Sequence, residues 1–490
     1  LKNVGKVLIP AGFAACTLLA MADLAQAADA PGAYKEHCAA CHGEARLGGI
    51  GPALLPENLA RLRKAEAEKV IREGRPASQM LGFGDKLSAE EIKALVDYAY
   101  TPIKPMPTWG EKEITASRLV LEPKPLPDKP VFKADPLNLF VVVESGDHHV
   151  SILDGDKLEP IHRFQSRFAL HGGPKFTPDG RYVFFASRDG WVTKFDLWNL
   201  KVVAEVRAGI NTRNAAVSGD GKWVAVANYL PHSLVILDAD LNFKKLLPVK
   251  DKDGKVSSRV SAVYDASPRQ SFVAALKDVK EVWEVSYNPK ADDIPAGMIH
   301  DFKYKEGAFV PGFLNPVRTP LDDYLDDFFF TQGYDEVMGA SRNDAKAAIS
   351  GQVVNLDARK KVADLELPGM PHLGSGISWK MGDRTVMATP NLNEGLISII
   401  DMQTWKTIKQ IKTRGPGFFM RSHENSRYAW TDSMMSKEFK DTMQIIDKEK
   451  LEVVAELRPE PGKTFAHVEF TRDGKYVLAS LWDMDGALII

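Results

Sequence analysis

The chain has 490 residues, more than a single hydrophobic core usually supports, so its length predicts at least two domains. Hydrophobic residues make up 44% and charged residues 26% of the sequence, which is typical of a soluble globular protein and excludes a disordered chain. The net charge of -2 at pH 7 gives no basic signature, so the composition argues against nucleic acid as a partner.

The N-terminus has the pattern of an export signal. Lys2 and Lys6 precede an apolar run that ends in the small-residue motif at residues 25–27. The alternative is an uncleaved membrane anchor, but Pro10 within the apolar run favours cleavage. We therefore expect residues 1–27 to be a signal peptide, the mature protein to lack a transmembrane segment, and its location to be the periplasm.

Cys38, Cys41 and His42 form a C-x-x-C-H motif, the attachment signature of c-type haem. The alternatives are a disulfide or half of a zinc site, but zinc needs two more Cys or His ligands at short spacing, and none follow. The third cysteine, Cys16, lies in the predicted signal, so no pair remains for a structural disulfide. The motif predicts one covalently bound haem c with His42 as an iron ligand.

Residues 28–100 are predicted to form a small all-α domain around this haem. A first short helix leads into the C-x-x-C-H motif, and apolar residues recur at helical spacing between Leu59 and Glu73. Ser88 and Glu91 form a capping box that opens a last helix. This order of helices resembles a class I cytochrome c, in which the last helix packs on the first.

The haem iron of such a domain needs a sixth ligand. Met80 precedes the last helix and has a thioether that can bind iron. Met106 follows that helix within a proline-rich stretch, so its position is less suitable, and His37 is a third candidate. The sequence favours Met80.

Residues 101–135 contain seven prolines, a density that predicts a semi-rigid extended linker between two domains. They are Pro102, Pro105, Pro107, Pro123, Pro125, Pro127 and Pro130.

From residue 136 to 490 the pattern changes to short strands separated by turn residues. Strand-like units recur at an interval of roughly 35 to 50 residues, the signature of a β-propeller, whereas a β-sandwich would not repeat in this way. The units begin near residues 139, 182, 223, 272, 327, 384, 428 and 476. This count predicts an all-β propeller of eight blades, and the final unit lacks one strand, so we expect the last blade to be truncated.

Particular stretches of this second domain resemble the cytochrome cd1 family, which joins a haem c domain to an eight-bladed propeller. Residues 168–171, 179–182 and 187–190 resemble the family segment that carries the histidine ligand of haem d1. Residues 371–376 resemble a second family motif, whose histidine faces the open side of the d1 ring. The resemblance covers essentially all of the mature chain.

The resemblance implies a haem d1 pocket in the propeller. It implies that His171 ligates the d1 iron and that Arg188, Arg213 and Arg259 bind the carboxylates of the ring. Tyr229 resembles a pocket aromatic of the family. By itself, each arginine is equally consistent with a solvated surface charge.

One departure from the family pattern bears on the function. Nitrite-reducing members have two histidines over the d1 ring; His372 matches one, but residues 324–328 have acids and aromatics where the other is expected. The resemblance therefore implies the branch of the family that oxidises dihydro-haem d1 to haem d1, desaturating a propionate side chain to an acrylate. Two alternatives remain: a nitrite reductase, and a non-catalytic haem d1 carrier or electron-transfer protein.

Desaturation of a propionate requires a base for a proton and an acceptor for two electrons. His372 and His423 are both candidates for the base. Arg421, near His423, is a candidate for holding a carboxylate of the tetrapyrrole, and Glu424 for orienting the His423 ring. His423 is equally consistent with a turn residue before a strand. His467 is a weaker third candidate. We expect the electrons to leave through haem c to a soluble carrier protein, and a nitrite reductase to be a possible recipient of haem d1.

Overall fold

The computed structural model describes residues 29–60, 62–75, 79–341 and 351–482, together with the backbone of residues 486–489. The predicted signal peptide and Cys16 lie outside these residues. No helix among the described residues is long and apolar enough to cross a membrane.

The first domain is helical, as predicted. Its helices are α1 (Ala30–His37), α2 (Ala39–His42), α3 (Pro56–Leu59), α4 (Lys64–Glu73) and α5 (Ala89–Ala99). The capping box is confirmed: the Glu91 N–H donates to Ser88 Oγ at 3.2 Å, and the Ser88 N–H donates to Glu91 Oε2 at 2.8 Å. α5 packs on α1, with the Tyr34 and Tyr98 rings 5.5 Å apart, so the last helix contacts the first as the pattern predicted.

The predicted linker contains regular structure. It forms α6 (Glu111–Ser117) and a short strand, β1 (Leu119–Val120), which pairs antiparallel with a propeller strand, β8 (Lys201–Arg207). Ile114 is fully buried in the core of the propeller. Residues 109–120 are therefore packed against the second domain, because a few apolar side chains between the prolines find partners there.

Six sheets of the second domain have four strands or more. They are β5 (Lys175–Phe176), β6 (Tyr182–Ala186), β7 (Trp191–Asp196) and β8, extended by β1; β9 (Asn211–Val217), β10 (Trp223–Leu230), β11 (Ser233–Asp238) and β12 (Phe243–Pro248); β13 (Val260–Ala266), β14 (Ser271–Leu276), β15 (Glu281–Ser286) and β18 (Pro316–Pro320); β19 (Leu325–Phe330), β20 (Glu336–Ser341), β21 (Gly351–Asn355) and β22 (Lys360–Leu365); β23 (Ile377–Met381), β24 (Arg384–Pro390), β25 (Leu396–Asp401) and β26 (Thr407–Lys412); and β27 (Met420–Ser422), β28 (Tyr428–Asp432), β29 (Met443–Asp447) and β30 (Glu452–Leu457).

The remaining strands form smaller sheets. They are β2 (Leu139–Glu144), β3 (His149–Asp154) and β4 (Pro160–Gln165); β31 (Phe465–Phe470), β32 (Val477–Leu481) and β33 (Gly486–Ile489); and the hairpin β16 (Ile294–Asp301) and β17 (Glu306–Val310).

The prediction of an eight-bladed propeller is wrong. The described residues form six complete blades, and the sheets at the two ends of the domain have three strands each. The repeating strand pattern locates strands along the chain correctly. It does not determine how many strands pair in each sheet: the repeat counts strand-rich units, and two of these units form sheets of only three strands.

The innermost strand of each complete blade lines a central channel, and these strands contact one another around it. The helical domain lies at the end of the channel where the innermost strands begin. There Ala53 and Leu55 form one buried cluster with Ile210 and Leu230 of the propeller. Both domains therefore meet at one end of the propeller.

Candidate functional site

The C-x-x-C-H motif lies at the corner between α1 and α2. Cys38 is half-buried, Cys41 is exposed, and both thiols are free. His42 is buried, and its Nδ1 lies 2.7 Å from the Pro52 carbonyl oxygen. Because a carbonyl only accepts, Nδ1 carries the proton and Nε2 keeps its lone pair for a metal. Burial lowers the pKa of His42, which favours the neutral, metal-binding form.

The surroundings of His42 fit a c-type haem. A Cβ atom on Gly51 would lie 2.9 Å from His42 Cε1, so a glycine is needed for the loop to approach the imidazole ring. Within the described part of the chain, no group of three or more His, Cys, Asp or Glu side chains could hold a metal ion. Two thiols and one neutral imidazole remain as the donor set.

Met80 lies in the loop between α4 and α5 and is partly buried, whereas Met106 lies beyond α5 and is 49% exposed. The Met80 carbonyl accepts from the Arg75 N–H at 2.9 Å, which fixes the backbone of this loop. The His37 ring packs against Phe83, with ring centroids 5.9 Å apart. The assignment of Met80 as sixth ligand stays a prediction.

His171 lies just before β5, where the chain enters the innermost strand of a blade. Its backbone N–H donates to the Ala186 carbonyl at 2.8 Å, and its Nδ1 lies 2.7 Å from the Arg213 carbonyl oxygen. Arg213 Nη1 also lies 2.8 Å from Nδ1. In the tautomer that donates from Nδ1 to the carbonyl, Nε2 carries the lone pair.

Two of the predicted arginines meet at His171. Arg188 Nη2 and Arg213 Nη1 each lie 3.1 Å from His171 Nε2. Arg188 comes from the turn after β6 and Arg213 from β9, so two blades bring their guanidinium groups to one imidazole. Two guanidinium groups at one imidazole form a cationic group of the kind that binds carboxylates in proteins.

Tyr229 forms the centre of a second group of cations. Arg188, Arg259 and Lys277 lie 5.8, 5.4 and 5.9 Å from the centroid of its ring. Arg259 also makes a bidentate ion pair with Asp278, at 2.8 and 2.7 Å. The predicted residues Arg188, Tyr229 and Arg259 are thus brought together.

His372 lies just before β23, at the same end of the channel as His171. Its Nδ1 is 2.8 Å from the Phe418 carbonyl oxygen, and its Nε2 is 3.8 Å from Asp327 Oδ2. The Tyr264 hydroxyl donates to Asp327 Oδ1 at 2.9 Å. Burial lowers the pKa of His372, and Asp327 opposes that effect.

An aromatic wall, formed by Phe418, Phe419, His467 and Trp482, continues from His372. The His372 and Phe418 ring centroids are 4.2 Å apart, those of Phe419 and His467 are 3.7 Å apart, and His467 stacks on Trp482 at 5.4 Å. Burial lowers the pKa of His467 to about 4, so its imidazole is neutral near pH 7. The rings are tilted against one another, by 56° between His372 and Phe418 and by 48° between Phe418 and Phe419, so the wall is an apolar but uneven surface.

The channel continues below these residues. A cavity of about 570 Å³ is lined by Lys175, Tyr264 and Gly374 towards the helical domain and by Gln332 and Tyr334 further along. Burial lowers the pKa of Lys175 to about 8, with Asp327 acting in the opposite direction.

Arg421 lies on β27 and faces Lys175 and His467 closely enough to lower the pKa of both. Its Nε donates to Glu469 Oε1 at 3.0 Å. It is therefore near the channel, but one side of its guanidinium group is engaged by an acid.

The structure does not bring His423 to this pocket. His423 follows β27, in the turn to β28, and its Nδ1 accepts from the Asn425 N–H at 3.1 Å. A Cβ atom on Gly474, in the corresponding turn of the next sheet, would lie 2.5 Å from His423 Nδ1. Since His372 precedes an innermost strand and His423 follows one, the two histidines lie at opposite ends of the channel.

Lys175, Tyr264 and Asp327 belong to the pocket but were not singled out individually from the sequence. All three come from innermost strands and lie among apolar neighbours. A charged residue beside aromatic strand residues is the signal that would have found Lys175 and Asp327, because buried charges are retained mainly with partners or for function. Tyr264 has no such signal in the sequence.

The comparisons with known proteins agree with this architecture. Residues 134–490 match the family model described as the cytochrome D1 heme domain, and residues 25–98 match the model described as cytochrome C oxidase, cbb3-type, subunit III. The chain is 55% identical to the dihydro-heme d1 dehydrogenase of Pseudomonas aeruginosa over 478 residues, which cover 96% of this chain and 91% of that protein.

Two further relatives are informative. A solved structure of dihydro-heme d1 dehydrogenase NirN in complex with DHE superposes with a TM-score of 0.85 at 55% identity, covering 94% of this chain and 93% of that one. The nitrite reductase of Stutzerimonas stutzeri is 26% identical over 89% of this chain and 82% of its own length.

A helical domain with a haem-attachment motif, docked on a propeller whose cationic pocket surrounds a histidine, defines a two-haem cytochrome. The chain belongs to the cytochrome d1 haem domain family. It carries a cytochrome c domain and a haem d1-binding domain, which confirms the resemblance and the cofactors predicted from the sequence.

Proposed function

We propose that this chain is a periplasmic oxidoreductase that converts dihydro-haem d1 to haem d1. The relative with 55% identity over 96% of the chain is named for this activity. The observation that carries the proposal is the pairing of His372 with Asp327, 3.8 Å apart, where nitrite-reducing relatives are expected to have two histidines. One base beside a carboxylate suits removal of a proton from a side chain better than delivery of two protons to an oxygen.

His171 and the surrounding cations bind the substrate. The Nε2 lone pair of His171 ligates the iron of the tetrapyrrole, and Arg188 and Arg213, now 3.1 Å from that nitrogen, move outward to its carboxylates. Arg259 and Lys277 extend the same cationic rim beside Tyr229. The side chains of the aromatic wall would supply apolar contacts to the macrocycle.

His372 is the base. Its Nδ1 proton is committed to the Phe418 carbonyl at 2.8 Å, so its Nε2 is the nitrogen that accepts a proton from the propionate. Conversion of the propionate to an acrylate releases two protons and two electrons. His372 accepts one proton, and the second leaves to solvent.

Cys38 and Cys41 would attach haem c, and His42 would bind its iron. Haem c, when bound, accepts electrons one at a time. The contact of Leu55 with Ile210 and Leu230 holds this domain at the end of the channel where the substrate binds. A soluble electron-carrier protein then removes the electrons, and a nitrite reductase is the proposed recipient of haem d1.

The test is turnover by the purified protein with haem c in place. Dihydro-haem d1 is added anaerobically with an oxidised carrier cytochrome, and the tetrapyrrole spectrum and haem c reduction are followed together. We expect two electrons per haem d1 formed. His372→Gln should bind the substrate but lose at least about 100-fold in the rate of conversion. The matched variant His423→Gln should retain the rate of the natural chain.

Nitrite is the alternative substrate in the same assay. Rapid nitric oxide formation from nitrite, with no conversion of dihydro-haem d1, would replace this proposal by a nitrite reductase. Tight binding of dihydro-haem d1 without any conversion would favour a carrier.

A further inference from the structure

Asp327 occupies a site that is built around its carboxylate. The Tyr264 hydroxyl and the Phe328 N–H both donate to its Oδ1 at 2.9 Å. Its other oxygen, Oδ2, is directed towards His372 Nε2 at 3.8 Å. The two donors fix one oxygen, so the second is held in the direction of the imidazole.

Gly374 leaves the space that this carboxylate occupies. A Cβ atom at position 374 would lie 2.1 Å from Asp327 Oδ2 and 2.5 Å from its Cγ. Gly374 lies two residues after His372 in the same short 3-10 turn. A side chain at position 374 would push the Asp327 carboxylate away from His372. The contact between Asp327 and His372 therefore depends both on the donors that hold Asp327 and on the glycine at position 374.

The Asp327 carboxylate lies beside the nitrogen that accepts a proton. With Nδ1 bound to the Phe418 carbonyl, protonation of His372 occurs at Nε2 and creates a positive charge next to Asp327 Oδ2. In a buried pocket an opposite charge at this distance stabilises the imidazolium substantially. Without the carboxylate, burial and Arg213 would both disfavour the proton.

We propose that Asp327, held by Tyr264 and admitted by Gly374, is a positioning residue that orients His372 and stabilises its protonated form during desaturation. This inference rests on the proposed function. Nitrite-reducing relatives are expected to have a second histidine in this region. Here the Asp327 carboxylate would stabilise the protonated form of His372 and would not donate a proton itself.

The groups that face His372 from the neighbouring elements define what else acts on its charge. Asp327 on β19 and Arg213 on β9 act on it directly, and Tyr264 on β13 and Lys175 on β5 act through Asp327. On the remaining side, Phe418 and Phe419 separate it from His467 on β31 and Arg421 on β27.

The first test measures the titration of His372 in the haem c-containing protein without tetrapyrrole. Histidine labelled with carbon-13 at Cε1 is followed by NMR, and the His372 signal is assigned with His372→Gln. Asp327→Asn should lower the titration midpoint of His372 by about one pH unit, because the imidazolium loses its partner. Gly374→Ala keeps the charge but displaces it, and should lower the midpoint in the same direction.

The matched control is Asp335→Asn. Asp335 belongs to the same sheet and accepts from Thr331 Oγ1 at 3.0 Å, in the turn at the other end of β19. This variant should leave the His372 midpoint unchanged. Circular dichroism and the melting temperature establish that each variant is folded before the titrations are compared.

The second test is the pH dependence of dihydro-haem d1 conversion. The rate should rise with pH as His372 loses its proton; in Asp327→Asn the acidic limb should move to lower pH, and the plateau should fall about tenfold because a weaker base remains. Loss of rate without movement of the limb would show a purely structural role and overturn the proposal. An unchanged His372 midpoint in both folded variants would overturn it independently of turnover. A shifted midpoint without any conversion would retain the coupling and reject the proposed function.

Discussion

Lys175 places a charged group in the central channel. Its Nζ donates to the Gly172 carbonyl at 2.6 Å, and it faces Asp327 across the channel. Burial nevertheless lowers the pKa of Lys175 to about 8, so the buried charge costs stability at neutral pH. A buried ammonium group attracts an anionic ligand, and in the absence of such a ligand it lowers the stability of the folded chain. Groups with such shifted pKa values are common at functional sites.

This cost predicts a pH-dependent stability. The folded-state pKa of Lys175, about 8, lies below its ordinary value of 10.5, so between these pH values the folded chain binds fewer protons than the unfolded chain. The contribution of Lys175 to the free energy of unfolding should therefore rise with pH in this window, by at most about 3 kcal/mol.

The measurement is chemical unfolding of the tetrapyrrole-free protein at several pH values, for the natural chain and for Lys175→Met. Below pH 8, the free energy of unfolding of Lys175→Met should exceed that of the natural chain by the largest amount. This excess should decrease as the pH rises towards 10.5. A difference that does not vary with pH would contradict the assignment.

At the scale of elements, the two candidate methionine ligands lie in segments that are held differently. The Phe83 N–H donates to the Ile71 carbonyl at 2.9 Å, and the Gly84 N–H donates to the Arg72 carbonyl at 3.0 Å, so the loop is fastened to the end of α4. Met80 lies within this fastened loop. Met106 lies beyond α5, in the segment that leads to the propeller.

We therefore expect Met80→Ala to abolish the near-infrared charge-transfer band of a methionine-ligated ferric haem. Met106→Ala should leave that band intact, because its side chain is half exposed and outside the loop. Near-infrared absorption of the oxidised protein measures both variants. Loss of the band in Met106→Ala alone would transfer the ligand assignment to Met106.

At the scale of the whole molecule, polar contacts hold the helical domain against the propeller. The Arg207 guanidinium donates to the Leu47 carbonyl and stacks 4.6 Å from the Trp109 ring, whose Nε1–H donates to the Arg207 carbonyl at 2.8 Å. Asn58 Nδ2 donates to the Ile210 carbonyl at 3.3 Å. These bonds surround the apolar cluster at Leu55 and fix how the helical domain sits on the propeller.

Leu55→Asp should weaken this docking, because a carboxylate would be buried in an apolar cluster. Tetrapyrrole binding should be unchanged, while reduction of haem c by bound dihydro-haem d1 should slow at least about tenfold as the haems separate. Stopped-flow absorption measures both steps. The matched control, Ala65→Asp, changes an exposed residue of the same domain and should have no effect.

Equal rates of haem c reduction in Leu55→Asp and in the natural chain would show that electron transfer to haem c does not depend on this contact. The haem c spectrum of each variant serves as the check that the helical domain itself remains folded.

The sequence by itself determined those features that depend on neighbouring residues. The spacing of Cys38, Cys41 and His42 specifies the attachment of a haem, and Ser88 with Glu91 specifies where α5 begins, because both signals act within one or two helical turns. The alternation of apolar residues likewise located most propeller strands. The family resemblance of residues 168–171 then pointed to His171.

Only the tertiary structure decided which distant residues meet. His372 and His423 are both histidines near an innermost strand, but one precedes its strand and the other follows it, so they lie at opposite ends of the channel. Tyr264, Asp327 and His372 come from three blades and meet because their strands pack around one axis. Packing between blades is a long-range interaction, which local periodicity does not encode. The repeat counted strand-rich units and not complete four-stranded sheets, so only the observed pairing gave the number of complete blades.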